Sequence, residues 1–378
     1  MFGAPAAHPG KWSLRAECRR HSARRLHLLA NRAAARIRGT MLVKPDIPGE
    51  TILDCLQQHY NINVVSLQML PLGLDTYASV YRVVSEQSSA YLLKVTSRSL
   101  YEPRYLVPRY LRDQGITSVL APLPTANDAL WVQIEDCTLI VYPFIEGDTS
   151  WNGMTNEQWK EVGSTFKRIH QVALPSSGFE ALRRESFDST EYARWIRDFE
   201  ADHLSSPRGS KIEQALLSSW KVHQPTIHTL MDLMETLGPL LQKQSGPYVI
   251  CHADLHHNNL IRDPTGHVFV IDWDDVMMAP KERDFLFVGD PDGSKGPSPF
   301  FQGYGQTEID WVALTYYRCE RVITDVIAYA EEALFREDLG EESRVDSVRR
   351  FGMSFEEGNM VDATFVSRAH LPPDLAQT

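Results

Sequence analysis

Three oxygen-bearing side chains stand at a spacing that suits phosphoryl transfer. Asp254 is followed five residues later by Asn259, and thirteen residues after that by Asp272. Moving a phosphoryl group to a hydroxyl takes an acid that meets the incoming hydroxyl, and oxygen ligands for the divalent cations that bridge the phosphates. Asp254 suits the first part, and Asn259 and Asp272 suit the second. An aspartate with an ordinary pKa of ~3.9 is a weak base early in such a reaction. Orientation of the hydroxyl, with late proton transfer, is therefore the work expected of Asp254. The residues lie on Val249-Ile250-Cys251-His252-Ala253-Asp254-Leu255-His256-His257-Asn258-Asn259-Leu260-Ile261 and on the stretch from His267 to Asp274. Two apolar runs bracket a polar loop. Asp263-Pro264-Thr265-Gly266 has the chemistry of a tight turn, since Pro pre-sets φ and Gly accepts positive φ. The resulting hairpin brings Asn259 and Asp272 together.

A lysine completes the set. Lys94 sits inside Tyr91-Leu92-Leu93-Lys94-Val95, and a cation embedded in an apolar strand must pair or reach solvent. The bland account is an edge-strand lysine. In the kinase pattern it grips the α- and β-phosphates and pairs with a glutamate on the next helix. Glu102, just before a helix-opening Pro103, is the candidate. Upstream, Leu72-Gly73-Leu74-Asp75-Thr76-Tyr77-Ala78-Ser79 is a turn between strands; an ordinary hairpin turn is the plainer account, and in the kinase pattern it covers the triphosphate, with Asp75, Thr76 and Ser79 as the expected nucleotide-binding residues. It is neither a Walker A loop nor a three-glycine loop.

His-x-Asp-Leu-His-x-x-Asn over His252–Asn259, followed by Ile271-Asp272-Trp273-Asp274, resembles the aminoglycoside phosphotransferase family of kinase-like small-molecule kinases. That family usually writes Gly where this chain has Ala253, and Pro-Gly where it has His257-Asn258. The resemblance implies an α+β, bilobal, protein-kinase-like fold. A small β-rich N-lobe over 41–146 would bind the nucleotide, and a larger, mainly helical C-lobe over 147–378 would carry catalysis and substrate. It implies ATP, with GTP as the alternative donor, and Mg2+. It also makes Tyr142-Pro143-Phe144-Ile145 the hinge against the adenine edge. Pro143 has no N–H, so Phe144 or Ile145 must donate there. Asp284 matches the family's acid that steadies the catalytic loop; a helix-start acid favoured by the dipole is the plainer account, and both can hold. Gly303-Tyr304-Gly305-Gln306-Thr307-Glu308 and Tyr316-Tyr317-Arg318-Cys319-Glu320-Arg321 extend the likeness toward the members that phosphorylate spectinomycin.

The acceptor is then a hydroxyl of a cationic aminocyclitol or aminoglycoside, with Asp274, Asp275 and Glu320 as candidate acids for its ammonium groups. Surface capping is the simpler account of the first two. A metabolite kinase of the same fold, acting on choline, homoserine or a sugar-like alcohol, is the rival. A quaternary ammonium would favour an aromatic cage, for which Trp273, Tyr304, Tyr316 and Tyr317 are available. A catalytically dead nucleotide binder is opposed by the intact Lys94, Asp254, Asn259 and Asp272. Zinc hydrolysis through His252 and His256 is opposed by the missing glutamate after the first histidine and by the strand that precedes them. Both histidines are expected to order the loop by hydrogen bonds.

The composition fits this reading. The chain has 378 residues, 43% hydrophobic and 23% charged, enough for two lobes with their own cores. Five scattered cysteines argue for free thiols in a reducing compartment, hence the cytoplasm. No apolar run reaches the ~18–20 residues of a membrane span. Residues 1–40 hold nine Lys/Arg and one acid, a local +8 that leaves −19 on the rest of a chain of net charge −11. The acidic body disfavours nucleic acid and suits a small cationic partner. A monomer is expected. The basic leader reads as an extension upstream of Met41, a transit segment or a nucleic-acid-binding arm.

The elements that must position these residues are legible from periodicity. Glu50–His59 has helical apolar spacing. Val64–Leu70, Ser79–Val84, Tyr91–Val95, Leu130–Ile134 and Thr138–Tyr142 read as strands. Thr155-Asn156-Glu157-Gln158 is a capping box that opens a helix. Asp188–His203 and Lys211–Gln244 are helical, the latter expected to break at Pro225 and Pro239. Trp311–Phe335 is a long amphipathic helix, with Arg321 and Asp325 paired at i, i+4.

Overall fold

The computed structural model describes residues 47–70, 77–149, 153–204, 209–244, 246–289, 291, 298–336 and 338–376. The order begins α1 (Gly49–Tyr60), β1 (Val64–Leu70), β2 (Ala78–Ser85), β3 (Ala90–Thr96), α2 (Pro103–Asp113), β4 (Val132–Ile134), β5 (Cys137–Pro143) and α3 (Asn156–Gln171). It continues with α4 (Thr190–His203), α5 (Lys211–Lys243), β6 (Val249–Cys251), β7 (Leu260–Arg262), β8 (Val268–Val270) and β9 (Met277–Ala279). It ends with α6 (Pro299–Tyr304), α7 (Trp311–Phe335), α8 (Glu341–Met353), α9 (Met360–Arg368) and a final turn of helix. The chain divides into two compact units. Of the described residues, one gathers those before Ser189 with Leu237–Tyr317; the other gathers Ser189–Thr236 with those from Arg318 onward. The division falls inside α5 and α7.

In the first unit, five antiparallel strands form a sheet of order β1-β2-β3-β5-β4. β3 is therefore central, and Lys94 lies opposite Val80 on one side and Ile140 on the other. That removes the edge-strand account of this lysine. Strand alternation sends Leu93 and Val95 to one face, where Ile52, Cys55 and Leu56 of α1 bury them together with Val83 and Val141. Lys94, in between, points to the opposite face, where Tyr105 of α2 packs on Ile140.

The other half of this unit is built on α3. Thr155 Oγ1 accepts the Gln158 N–H at 3.2 Å and Gln158 Oε1 accepts the Thr155 N–H at 2.9 Å, closing the capping box. Gln158 Nε2 also donates to the Gly266 carbonyl at 2.8 Å, which ties the helix start to the β7–β8 turn. Val162, Phe166 and Ile169 face a core shared with Leu260, Val270, Phe285 and Phe300. α6 lies so close on α3 that Gly163 and Gly303 each meet the other helix's backbone; a Cβ on either would overlap a carbonyl oxygen of Phe300 or Lys160. β6 pairs with β9 and β7 with β8, two short ribbons that fix the loop between them.

The second unit holds α4, α8, α9 and most of α5 and α7. Trp195 stacks on Phe199 at 4.9 Å, and Trp220 stacks on Phe351 at 5.5 Å. Arg321 Nε donates to Asp325 Oδ2 at 2.7 Å. α5 runs unbroken through Pro225 and Pro239, contrary to the expected break. A proline removes one intrahelical bond, and the buried stripe of Trp220, Ile227, Leu230 and Met234 outweighs that loss. No helix among the described residues is long and apolar enough to cross a membrane.

Candidate active site

The loop after β6 is shaped by a buried carboxylate. Ala253 takes φ +68°, a left-handed conformation that favours glycine. Asp284, fully buried, accepts the Ala253 N–H on Oδ1 at 2.8 Å and the His252 N–H on Oδ2 at 3.1 Å. His170 of α3 shares Oδ2 through Nε2 at 2.9 Å, and its Nδ1 meets the Tyr304 hydroxyl at 2.8 Å. His252 Nε2 donates to the Ile271 carbonyl at 2.8 Å, linking the loop to the strand that leads into Asp272.

Asp254 is buried at the turn of this loop. Asn259 Nδ2 donates to its backbone carbonyl at 2.9 Å and to its Oδ2 at 3.1 Å. His256 Nε2 lies 3.3 Å from the same Oδ2, and His256 Nδ1 accepts the Asn258 N–H at 3.1 Å. Both histidines are thus hydrogen-bonded into the loop. The Asn259 carbonyl accepts the Ile271 N–H at 2.9 Å, so the β7–β8 hairpin sets Asn259 beside the residue before Asp272. Asp272 itself takes φ +64°.

Lys94 reaches this group from the sheet. Its Nζ is 3.2 Å from Asp274 Oδ2 and 3.8 Å from Asp272 Oδ1. The structure therefore gives Lys94 aspartate partners from the β8–β9 connection, and not Glu102. Glu102 is the exposed N-cap of α2. The buried residues of that helix are Pro103, Arg104, Tyr105, Val107, Pro108 and Leu111. Arg104 Nε stands 3.9 Å from Asp274 Oδ1. Asp275 faces Arg183 at 3.7 Å. Asp274 and Asp275, expected as acids for a substrate ammonium, each face a cation of the protein. Loss of hydration works against ionised Asp274, but Lys94, Arg104 and Arg98 outweigh it and hold this carboxyl well below the usual carboxylate range. Asp272 is moved the other way: loss of hydration and the charges of Asp274 and Asp254 raise it, with Lys94 opposing.

These residues fit a hard divalent cation. Asn259 commits its amide nitrogen to Asp254, which leaves Oδ1 as the acceptor end. The Asp272 carboxylate keeps 34% of its exposure and carries a repulsion that a bound cation offsets. Asn259 and Asp272 could therefore hold Mg2+, with Lys94 beside them for phosphate oxygens.

The remaining expected residues are less concentrated. Asp75 and Thr76 lie outside the described residues. Ser79 is buried in β2, opposite Val95. The Phe144 N–H continues the β3–β5 pairing by donating to the Ala90 carbonyl at 3.3 Å, so it is committed to the sheet. Ile145, the other residue expected to donate at the hinge, is half-buried one residue on. Glu320 belongs to the second unit, where it is buried and accepts the Tyr192 hydroxyl at 3.4 Å. Arg104, Arg183 and His170 escaped sequence reading. Nothing distinguishes a buried arginine or histidine on an amphipathic helix from a surface one until its distant partner is known.

The family described as the phosphotransferase enzyme family (APH) matches residues 69–317. The chain belongs to this family. It is a phosphotransferase with an alcohol group as acceptor, on an α+β kinase-like fold. A solved structure of spectinomycin phosphotransferase APH(9)-Ia in complex with ADP and spectinomycin is 29% identical, with 85% of this chain and 99% of that chain covered at a TM-score of 0.75. An aminoglycoside phosphotransferase from Alicyclobacillus acidocaldarius subsp. acidocaldarius is 16% identical (TM-score 0.59; 86% of this chain, 98% of that chain). An amicoumacin kinase bound to AMP-PNP and Ca2+ is 18% identical (TM-score 0.55; 84% and 94%). These two share the fold. A search of curated protein sequences found no match. The family's nucleotide-bound members support nucleotide use by this chain.

Proposed function

We propose that this phosphotransferase moves the γ-phosphate of ATP to a hydroxyl of spectinomycin or a closely similar aminocyclitol. The observation that carries this is the match, over 85% of this chain and 99% of the other, to a structure that holds ADP and spectinomycin. The acidic body of the chain suits a cationic acceptor. The aromatic-cage alternative is weakened by packing: Trp273, Tyr304, Tyr316 and Tyr317 are each at most 3% exposed. Tyr304 binds His170 through its hydroxyl.

In this reading the N-lobe over 41–146 holds the nucleotide and the residues beyond 147 supply catalysis and the acceptor. The Ile145 N–H meets the adenine edge, and Lys94 grips the α- and β-phosphates. Asp254, its carboxylate set by Asn259 and His256, accepts a hydrogen bond from the acceptor hydroxyl and turns its oxygen toward the γ-phosphorus. The hydroxyl proton passes to Asp254 late, as the new P–O bond forms and the bond to ADP breaks. Asn259 and Asp272 would hold Mg2+, which when bound neutralises phosphate charge. The reading includes a monomer acting in the cytoplasm, in keeping with the free thiols of Cys55, Cys137, Cys251 and Cys319.

The test is ATP consumption by the full chain with Mg2+ and a panel of spectinomycin, other aminoglycosides, choline and homoserine. Turnover on spectinomycin is expected, falling roughly 10²–10⁴-fold in Asp254→Ala. Turnover confined to choline or homoserine would replace the acceptor and leave the phosphotransfer scheme in place.

A further inference from the structure

Two cations of the first unit converge on one carboxylate. Lys94 Nζ lies 3.4 Å from Asp274 Oδ1 and 3.2 Å from Oδ2. Arg104 Nε stands 3.9 Å from Oδ1. The Asp274 backbone is fixed as well. Arg183 Nη2 donates to its carbonyl at 3.2 Å, and that guanidinium lies 4.3 Å from the Tyr101 ring. The Tyr101 hydroxyl in turn donates to the Val276 carbonyl at 2.8 Å. Asp274 is therefore held at both ends, with its side chain only 12% exposed.

In the kinase arrangement a glutamate from the helix after the lysine strand holds the lysine in place. Here that helix, α2, turns Arg104 inward and leaves Glu102 outside. An arginine in that place repels Lys94. Two neighbouring cations with little water need an anion between them. Asp274 supplies it from the β8–β9 connection, two residues past Asp272.

We propose that Asp274 is the positioning residue for Lys94, doing from the metal-binding segment what a helix glutamate does in other kinases. It separates Lys94 from Arg104 and keeps Nζ within reach of Asp272, so less side-chain freedom is lost when phosphates bind. Arg104, 3.9 Å from the same carboxylate, is one reason an acid is needed there. The proposal rests on the reading of Lys94 as the phosphate-gripping residue.

The experiment is a thermodynamic cycle of ADP affinity in the presence of Mg2+, by calorimetry on the full chain, for the wild type, Lys94→Ala, Asp274→Asn and the double variant. We expect Lys94→Ala and Asp274→Asn each to weaken ADP roughly tenfold, with the double variant within about twofold of Lys94→Ala alone. Asp274→Glu, which keeps the charge, should stay within about threefold of wild type. Equal weakening by Asp274→Asn with and without Lys94 overturns the proposal, since Asp274 would then act by itself; so does wild-type affinity in Asp274→Asn. Wild-type affinity in Lys94→Ala overturns instead the underlying reading of Lys94, and that comparison involves no Asp274 variant. Melting curves report whether each variant folds. Arg104→Gln/Asp274→Asn, which removes the repulsion along with its screen, should bind ADP about threefold or more tighter than Asp274→Asn. If Asp274→Asn does not fold, that pair is compared with Arg104→Gln: affinities within about threefold support the proposal, and a tenfold gap overturns it.

Discussion

Asp284 Oδ1 accepts the backbone N–H of Ala253 at 2.8 Å, one residue ahead of Asp254. Its other oxygen takes the His252 N–H and His170 Nε2. Three buried donors thus depend on one buried carboxylate. Asp284→Ala strands all three and should cost about 3–5 kcal/mol. Asp284→Asn keeps one acceptor oxygen and should cost about 1–3 kcal/mol. Urea-unfolding midpoints measure both. A midpoint for Asp284→Ala equal to wild type would mean that the loop does not need this anchor.

Ala253 holds φ +68° with its N–H tied to Asp284. A left-handed alanine costs about 1–2 kcal/mol that glycine does not. Glycine loses more freedom on folding, which offsets part of the gain. Ala253→Gly should therefore leave the Tm level or raised by up to about 1 kcal/mol of stability, with turnover retained. Ala253→Val, β-branched at positive φ, should lose about 2 kcal/mol or more. A thermal melt in which glycine is the more damaging of the two would remove strain as the account of this position.

Gly163 and Gly303 let α3 and α6 touch backbone to backbone. A methyl at Gly303 would overlap the Lys160 carbonyl, and one at Gly163 the Phe300 carbonyl. Neither obstacle is a flexible side-chain end. Gly163→Ala and Gly303→Ala should each cost about 2–4 kcal/mol by overpacking. Because both act on one contact, the double variant should cost less than the sum. Chemical denaturation of the three variants tests this, and strict additivity would show that the two glycines serve separate contacts.

What the sequence disclosed follows from chain distance. Features within one turn or hairpin were legible. The capping box at Thr155 and Gln158, the Arg321–Asp325 pair and the Asp263–Gly266 turn all rest on residues within four places of one another. The bounds of α7 matched apolar spacing, and the strands came within two residues of theirs. Asp254 and Asn259, five apart, meet as a short loop dictates. Pairings across the fold were not legible. Lys94 finds Asp274 across 180 residues, and His170 finds Asp284 across 114. Glu102, eight residues away, is the local candidate, but the helix start turns that side chain outward. The prolines of α5 are local break signals, but the burial that holds the helix together comes from tertiary packing.

Asp272 carries a charge that the metal-free protein holds at a disadvantage. Loss of hydration and the neighbouring Asp274 and Asp254 raise its carboxyl above the ordinary value, against the pull of Lys94. A carboxyl raised in the folded state binds its proton more tightly there than in the unfolded chain. The penalty of ionisation is therefore fully present above the folded pKa and disappears as pH falls through it toward the unfolded value. Asp272→Asn removes this penalty and should raise the metal-free Tm at pH 7–8, with the gain shrinking as the pH is lowered toward the ordinary carboxylate range. The same substitution deletes a proposed cation ligand, so phosphotransfer with Mg2+ should fall about 10²-fold or more. Melting wild type and variant across that pH range, with EDTA and then with Mg2+ and ADP, reads both effects. Mg2+ with ADP should raise the wild-type Tm well beyond that of the variant. A variant less stable than wild type at neutral pH without metal would show that Lys94, at 3.8 Å, outweighs the two neighbouring aspartates.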